Sequence, residues 1–266
     1  MLHLFLNFGY SMLLSHMMNL KRVWTDSYRV NWSDADAAGR LSLPGLFGAM
    51  QESAWHHANH IGFGFESLSD NRHVWVLVRL LVKMDRFPVW EEPYQITTWP
   101  SGSEGFTAFR EFLIQDNEGA TIGLGTSSWM ILDMESRRPR KDERLKEFDT
   151  WVATEKTLGG EAPRINAPVN PESFGIHTVR ASDVDQHGHV NNANYVRMAM
   201  DVFQVQQFRE AEPVGFCINY LAEAFEGDEI ELLRSGLPEY PVMKIAGRRV
   251  ADQKLIFACE VTWRSV

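Results

Sequence analysis

The nine residues Ser33-Asp34-Ala35-Asp36-Ala37-Ala38-Gly39-Arg40-Leu41 return half a chain later as Ser182-Asp183-Val184-Asp185-Gln186-His187-Gly188-His189-Val190. Without a gap, Ser33 falls on Ser182, Asp34 on Asp183, Asp36 on Asp185 and Gly39 on Gly188, and Leu41 agrees with Val190 in apolar character. The flanks agree too. Val30 falls on Val179, and a helical pattern follows each copy: Leu46, Met50, Ala54, His57 and Ile61 in the first, Tyr195, Met198, Val202 and Val205 in the second. A repeat at so long an offset implies a duplicated domain, not a solenoid of short units.

The copies differ at two positions that carry chemistry. Where the second has His187 and His189, the first has Ala38 and Arg40, so the second copy reads as the chemical site. The stretch from Ser182 to Asn192 sets two carboxylates, two imidazoles, a glycine and two asparagines at the opening of a helix. Acid/base groups there lie beside a positive dipole end, and the N–H groups of Gly188, Val190 and Asn191 are candidates to hold a developing oxyanion. Gly188 permits a conformation or a close approach that a side chain would block.

Taken in order, Val23 to Val30 reads as a strand, followed by the first turn and helix. Strand-like runs then alternate with turn signals: Val74 to Val78, Tyr94 to Trp99 ending at Pro100-Ser101-Gly102, Phe106 to Ile114, and Thr121 to Leu132 with Gly123 and Gly125 inside it as marks of a bulge or bend. One helix followed by short strands predicts an α+β arrangement, an antiparallel sheet packed on that helix. Residues 136–172 change composition, from Arg137-Arg138-Pro139-Arg140-Lys141 to Pro163, Pro168 and Pro171, and read as an exposed linker with a short helix between Glu143 and Trp151. The second copy repeats the order: a strand at His177 to Arg180, the turn, a helix from Asn192 to about Phe208, then strands at Gly215 to Glu223, Glu229 to Arg234, Val242 to Val250 and Leu255 to Trp263. The division is thus a tail over 1–20, a first domain over 21–135, a linker over 136–172 and a second domain over 173–266.

With 44% apolar residues among 266, the chain has material for a substantial core. Its net charge of −9 argues against nucleic-acid binding, which needs excess Lys and Arg against phosphate. Cys217 and Cys259 make no disulfide framework and no zinc spacing, which fits a reducing cytoplasm. The apolar stretch Met1 to Leu20 lacks a basic region ahead of it and a small-residue cleavage site, so it reads as a tail or an over-long start, with Met12, Met17 and Met18 as other starts. No membrane role is expected.

Ser182-Asp183-Val184-Asp185 followed by His189-Val190-Asn191-Asn192 and Tyr195 resembles the catalytic segment of acyl-acyl-carrier-protein (acyl-ACP) thioesterases, bacterial and plant. The first half is similar in Gln51-Glu52-Ser53-Ala54, in Asp85-Arg86-Phe87-Pro88-Val89-Trp90, and in Ser128-Trp129-Met130 followed by Arg137-Arg138. The resemblance runs from Val23 to the C-terminus. It implies a tandem hot-dog fold, each half wrapping a curved antiparallel sheet around a central helix. It also implies hydrolysis of the fatty acyl thioester to free acid and carrier protein, ending fatty acid synthesis. Carried over by residue, Asp185, His189 and Glu223 match the catalytic Asp, His and Glu. The family's usual Asn falls on His187, a departure that leaves that position's role open. Ala224 stands where plant members often carry Cys, which excludes a cysteine nucleophile there.

On this reading Asp185 or Glu223 is general base on water, or attacks directly, and His189 positions and polarises the reacting groups. No cofactor is implied. Asp185, His187 and His189 are also metal-ligand types, but the family needs no metal. Glu52, His56 and His60 recur on one helix face without the spacing of a zinc protease. Arg137, Arg138, Arg140 and Lys141 form a basic patch that either docks the acidic carrier protein or is a solvated linker. Phe63, Phe65, Trp75, Trp99 and Trp129 are candidates for an acyl tunnel or for ordinary core. An acyl-CoA thioesterase, a hot-dog hydratase and a non-catalytic acyl-binding regulator remain as rivals, and monomer and homodimer are both open.

Overall fold

Two helices open on caps that the sequence spells out. Ser42 accepts from Gly45 N at 3.2 Å with a proline in the first turn, starting α1 (Leu43–His60). Asn191 accepts from Ala193 N at 2.9 Å, starting α3 (Asn192–Met200). The computed structural model describes residues 21–64, 68, 72–140, 144–152, 157–158, 160–235 and 241–266, so Phe65, Lys141 and the tail over 1–20 lie outside the described residues.

The strands are β1 (Trp24–Arg29), β2 (His73–Met84), β3 (Pro93–Glu104), β4 (Thr107–Asp116) and β5 (Thr121–Asp133), then β6 (Glu172–Thr178), β7 (Ala211–Tyr220), β8 (Glu229–Arg234), β9 (Val242–Arg249) and β10 (Leu255–Ser265). Short helices α2 (Arg144–Phe148) and α4 (Val205–Glu210) complete the order. The tandem hot-dog arrangement is present, with one amendment. The two expected sheets fuse into a single antiparallel sheet of ten strands, β1-β3-β4-β5-β2-β7-β10-β9-β8-β6. The seam runs from Arg79 opposite Asn219 to Lys83 opposite Gly215. Pairing these two strands leaves neither half with an open edge at its centre.

One face of the sheet wraps α1 and α3, which also lie against each other. The stripe Leu46, Met50, Ala54 of α1 and Val196, Met198, Ala199 of α3 is buried in one core with Phe112, Phe216 and Phe257. Each large apolar side chain so buried contributes roughly 1.5–3 kcal/mol.

Several boundaries differ from the sequence reading. The second helix stops at Met200 and does not reach Phe208: Val202 and Phe203 are drawn into the core, Phe203 against Trp263, and that breaks the helix. β3 does not end at Pro100; it passes through with a register shift between Pro100 and Gly102. β7 runs from Ala211 to Tyr220 and leaves Glu223 beyond its end. Gly125 serves close approach, since a Cβ there would meet Met50 Cε at 2.7 Å, and the pairing of β2 with β5 passes it without a shift. The linker is exposed along much of its length, as read, but it is pinned at several points. Leu145, Phe148 and Ala162 are buried, Thr157 N and Oγ1 donate to the buried Glu111 carboxylate at 3.1 and 2.7 Å, and Ile165 N donates to Asn219 Oδ1 at 2.8 Å. Its short helix is present as α2.

Candidate active site

The repeated turn is built twice with the same backbone bonds. In the first copy Asp36 N donates to Arg40 O at 2.7 Å, Gly39 N to Asp36 O at 3.0 Å and Leu41 N to Pro88 O at 2.8 Å. In the second, Asp185 N donates to His189 O at 2.8 Å, Gly188 N to Asp185 O at 3.0 Å and Val190 N to Ala224 O at 3.0 Å. Gly39 and Gly188 hold φ of +77° and +79°, a left-handed conformation that favours glycine. No atom stands within 4 Å of where a Gly188 Cβ would lie, so conformation and not close approach calls for glycine.

Asp183 anchors the second turn. His177 Nε2 lies 2.9 Å from its Oδ2 and Arg180 N donates to the same oxygen at 2.8 Å, while its carbonyl accepts from Asn191 N at 2.9 Å. Burial opposes ionisation of this carboxyl, but the Arg180 N–H and His177 hold it below the ordinary range. Asp185 Oδ1 accepts from His187 N at 2.8 Å and so belongs in part to the turn.

The bridge Val190 N to Ala224 O also fixes the neighbouring segment, so Glu223 is delivered beside His189. Glu223 Oε1 stands 3.7 Å from His189 Nε2. Ala224 N donates to Tyr195 Oη at 3.0 Å, and the Phe225 ring meets the His189 ring edge-on at 5.1 Å between centroids. A third member was not read as a site residue from sequence. Arg137 Nη2 donates to Glu223 Oε2 at 2.6 Å and lies 3.4 Å from His189 Nε2. It comes from the turn after β5, where Ser136 N and Oγ donate to Asp133 Oδ1 at 2.7 and 2.8 Å. The signal was present as Arg137-Arg138 after Ser128-Trp129-Met130, but composition assigned it to a linker.

Asp185 and His187 line a cavity of about 570 Å³, together with Asn191 and Asn192 from the helix start. Its walls are Ala54, Trp55 and Ala58 of α1, Phe63, Trp75, Ala108, Trp129 and Phe148. Of the tunnel candidates, Phe63, Trp75 and Trp129 are there, whereas Trp99 is buried away from the lining. His189, Glu223 and Arg137 cluster beside the turn without lining this cavity. Arg110 reaches the wall from β4, only 4% exposed, donating to Thr98 Oγ1 at 3.2 Å and meeting His57 Nδ1 at 3.0 Å. Burial pushes His57 down to about 3, so its imidazole is neutral. His56 and Glu52 are tied into one surface cluster with Asp26, as ordinary bonded side chains.

The oxyanion expectation needs correction. The N–H groups of Gly188, Val190 and Asn191 already donate, to Asp185 O, Ala224 O and Asp183 O. They close the turn and its bridges, as a tight polar loop must. Burial pushes the Cys217 thiol up to about 12, and Ala224 follows Glu223, so no thiol nucleophile stands here. Among the described residues, no group of three or more His, Cys, Asp or Glu is placed to hold a metal ion, and no helix is long and apolar enough to cross a membrane. A larger cavity, about 810 Å³, lies over the first copy of the turn, beside Asp36 and Phe87. By the shared backbone bonds Phe87 holds the place of Glu223 and Arg40 that of His189, so the Glu–His pair of the second copy has no counterpart there.

Residues 21–147 match the acyl-ACP thioesterase N-terminal domain and residues 168–262 the acyl-ACP thioesterase C-terminal domain. The chain is 25% identical over 217 residues to oleoyl-acyl carrier protein thioesterase 2, chloroplastic, of Arabidopsis thaliana, covering 74% of this chain and 59% of that protein. It is 26% identical over 188 residues to the palmitoyl-acyl carrier protein thioesterase, chloroplastic, of the same plant, covering 65% of this chain and 45% of that one. The match thus spans about half the length of these relatives. In fold it is similar to an acyl-ACP thioesterase from Bacteroides thetaiotaomicron, with a TM-score of 0.84, 23% identity and coverage of 91% of this chain and 98% of that one. It is similar also to the 12:0-ACP thioesterase from Umbellularia californica, with a TM-score of 0.80, 18% identity and coverage of 92% and 98%.

Proposed function

Since the chain belongs to the acyl-ACP thioesterase family, we propose that it hydrolyses the thioester of fatty acyl-ACP, releasing free fatty acid and holo-ACP and so ending chain synthesis. One observation carries the reading: Asp185 and His189 share one turn, Glu223 stands beside His189, and the turn presents Asp185 to a largely apolar cavity. The cavity takes the acyl chain. The thioester lies at the turn, and its carrier stays outside.

Glu223, beside the His189 imidazole, takes a proton from water as the water oxygen attacks the thioester carbonyl carbon. The tetrahedral intermediate collapses, the C–S bond breaks, and the thiolate leaves to be protonated as holo-ACP. The N–H groups of His189 and Asn192, which make no backbone bond among the described residues, are assigned here to the oxyanion. Asp185 holds the turn through Oδ1 and presents its carboxylate at the cavity; His187 lines the same mouth. The acidic carrier protein docks beside the exposed Arg138 and Arg140. Two free, buried cysteines suit the cytoplasm.

The test is thiol release from acyl-ACPs of graded chain length, with one chain also offered on coenzyme A. Glu223→Gln and His189→Ala are expected to lose about 10²–10⁴-fold in kcat while remaining folded. Asp185→Asn keeps the turn bond, so a loss as deep as that of Glu223→Gln would make Asp185 the base or nucleophile. Higher kcat/KM on coenzyme A would favour an acyl-CoA thioesterase. Binding of acyl-ACP with no thiol release would favour an acyl-binding regulator.

A further inference from the structure

Arg137 belongs to the first half of the chain, yet its guanidinium sits on the acid/base pair of the second. Its Nη2 donates to Glu223 Oε2 at 2.6 Å, and the other oxygen, Oε1, is left facing His189 Nε2 at 3.7 Å. The carboxylate is therefore gripped at one oxygen and aimed with the other. The guanidinium also lies 3.4 Å from His189 Nε2 and has no acceptor to offer. Both members of the pair thus meet one guanidinium.

The backbone is committed to this placement. Arg137 holds φ of +55°, a left-handed conformation that non-glycine residues rarely adopt, inside a turn closed by Arg137 N to Asp133 O at 2.9 Å and Asp133 N to Arg138 O at 3.1 Å. Such outliers gather at functional sites. Arg137 is exposed like its neighbours Arg138 and Arg140, but of the three it is the one whose guanidinium bonds Glu223.

We infer that Arg137 is a positioning residue for hydrolysis, supplied by the first half to the second, which holds Glu223 aimed at His189. The inference rests on the reading of Glu223 as the general base. The other groups about Glu223 do not replace Arg137. Arg249 Nη1 reaches its backbone oxygen at 3.3 Å but is paired with Asp228 and Asp252, each at 3.0 Å. Tyr195 bonds Ala224 N, and burial pushes its phenol up, so it stays neutral. Arg137 is the one permanent cation within 4 Å of the carboxylate among the described residues.

A docking role for Arg137 predicts something different, and two substrates separate them. Arg137→Gln and Arg137→Lys are assayed on acyl-ACP and on the same acyl chain as its N-acetylcysteamine thioester, which carries neither carrier protein nor phosphate. Positioning predicts that Arg137→Gln lowers kcat about 10–100-fold on both substrates. Arg137→Lys recovers part of the rate on both. Circular dichroism checks that the variants fold; should Arg137→Gln not fold, Arg137→Lys on both substrates decides alone. A loss confined to acyl-ACP, appearing as a raised KM with kcat unmoved, overturns the inference in favour of docking. Absence of any loss overturns it outright. No thiol release by the wild-type protein from either substrate overturns the underlying reading instead, and this inference with it.

Discussion

Arg40 closes on Asp36 in the first copy of the turn, Nη2 to Oδ2 at 3.1 Å, where the second copy has His189 and Asp185. The same guanidinium crosses to the second half, reaching Glu212 Oε1 at 3.3 Å and the carbonyl oxygens of Phe208 and Ala211. A position given to an imidazole in one copy is a staple between halves in the other. Duplication left the turn intact and freed one copy to hold the molecule together.

Arg40→Met is therefore expected to destabilise strongly. Asp36 would stay largely buried with its cation gone, while Glu212 keeps only Arg264, at 2.8 Å, and breaking one side of a buried ion network costs about 3–5 kcal/mol. Urea unfolding would show it as a lower midpoint at unchanged slope. A change under about 1 kcal/mol would mean that water reaches the cluster and replaces the guanidinium.

Gly188 offers a cleaner test of backbone strain, since no neighbour stands within 4 Å of an added Cβ. Gly188→Ala should cost about 1–2 kcal/mol for its left-handed φ alone, and Gly188→Asn less, because Asn tolerates that region. Equal losses in thermal melts of the two variants would point to a steric cause.

Much of this architecture was legible because it was written twice. The repeat of Asp36 to Leu41 in Asp185 to Val190 fixed a turn whose bonds agree between copies, and Ser42 and Asn191 announced their helices. What stayed hidden depends on residues distant in sequence. The fusion of the sheets needs β2 to meet β7, and nothing in the alternation of either strand names its partner. Arg137 looked like solvated charge because its neighbours are basic and proline-rich; only a left-handed turn carries it to Glu223, 86 residues on. Arg110 and His57 likewise reveal themselves only once strand and helix are packed together.

Asp183 makes stability depend on acid. Its folded carboxyl is held below the ordinary range, so it adds stability above the unfolded value near ~3.9 and loses it as pH falls through the folded value. Asp183→Asn should cost about 1.5–3 kcal/mol at pH 7, the usual worth of charge-assisted bonds to His177 and Arg180 N. The difference from wild type should shrink as pH drops below ~4 and vanish once both states of the wild type are protonated. Melting temperatures from pH 7 to 3 would check this; curves that stay parallel would mean the carboxylate is not held below its ordinary range.

Ala108 tests which part of the cavity measures the acyl chain. It lies on β4 opposite Trp129 of β5, is almost wholly buried, and lines the cavity with Trp75 and Phe148. Ala108→Phe would fill that end and leave the turn with Asp185, His189 and Glu223 untouched. Short acyl-ACPs should then be hydrolysed as before, while kcat/KM for the longest chain accepted by the wild type falls about tenfold or more, as overpacking of a close-fitting wall requires. The loss should sit in KM if the long chain no longer enters, and in kcat if it enters but holds its thioester away from the turn. An unchanged chain-length profile would mean that the chain runs elsewhere, and would turn attention to the cavity over Asp36 in the first copy.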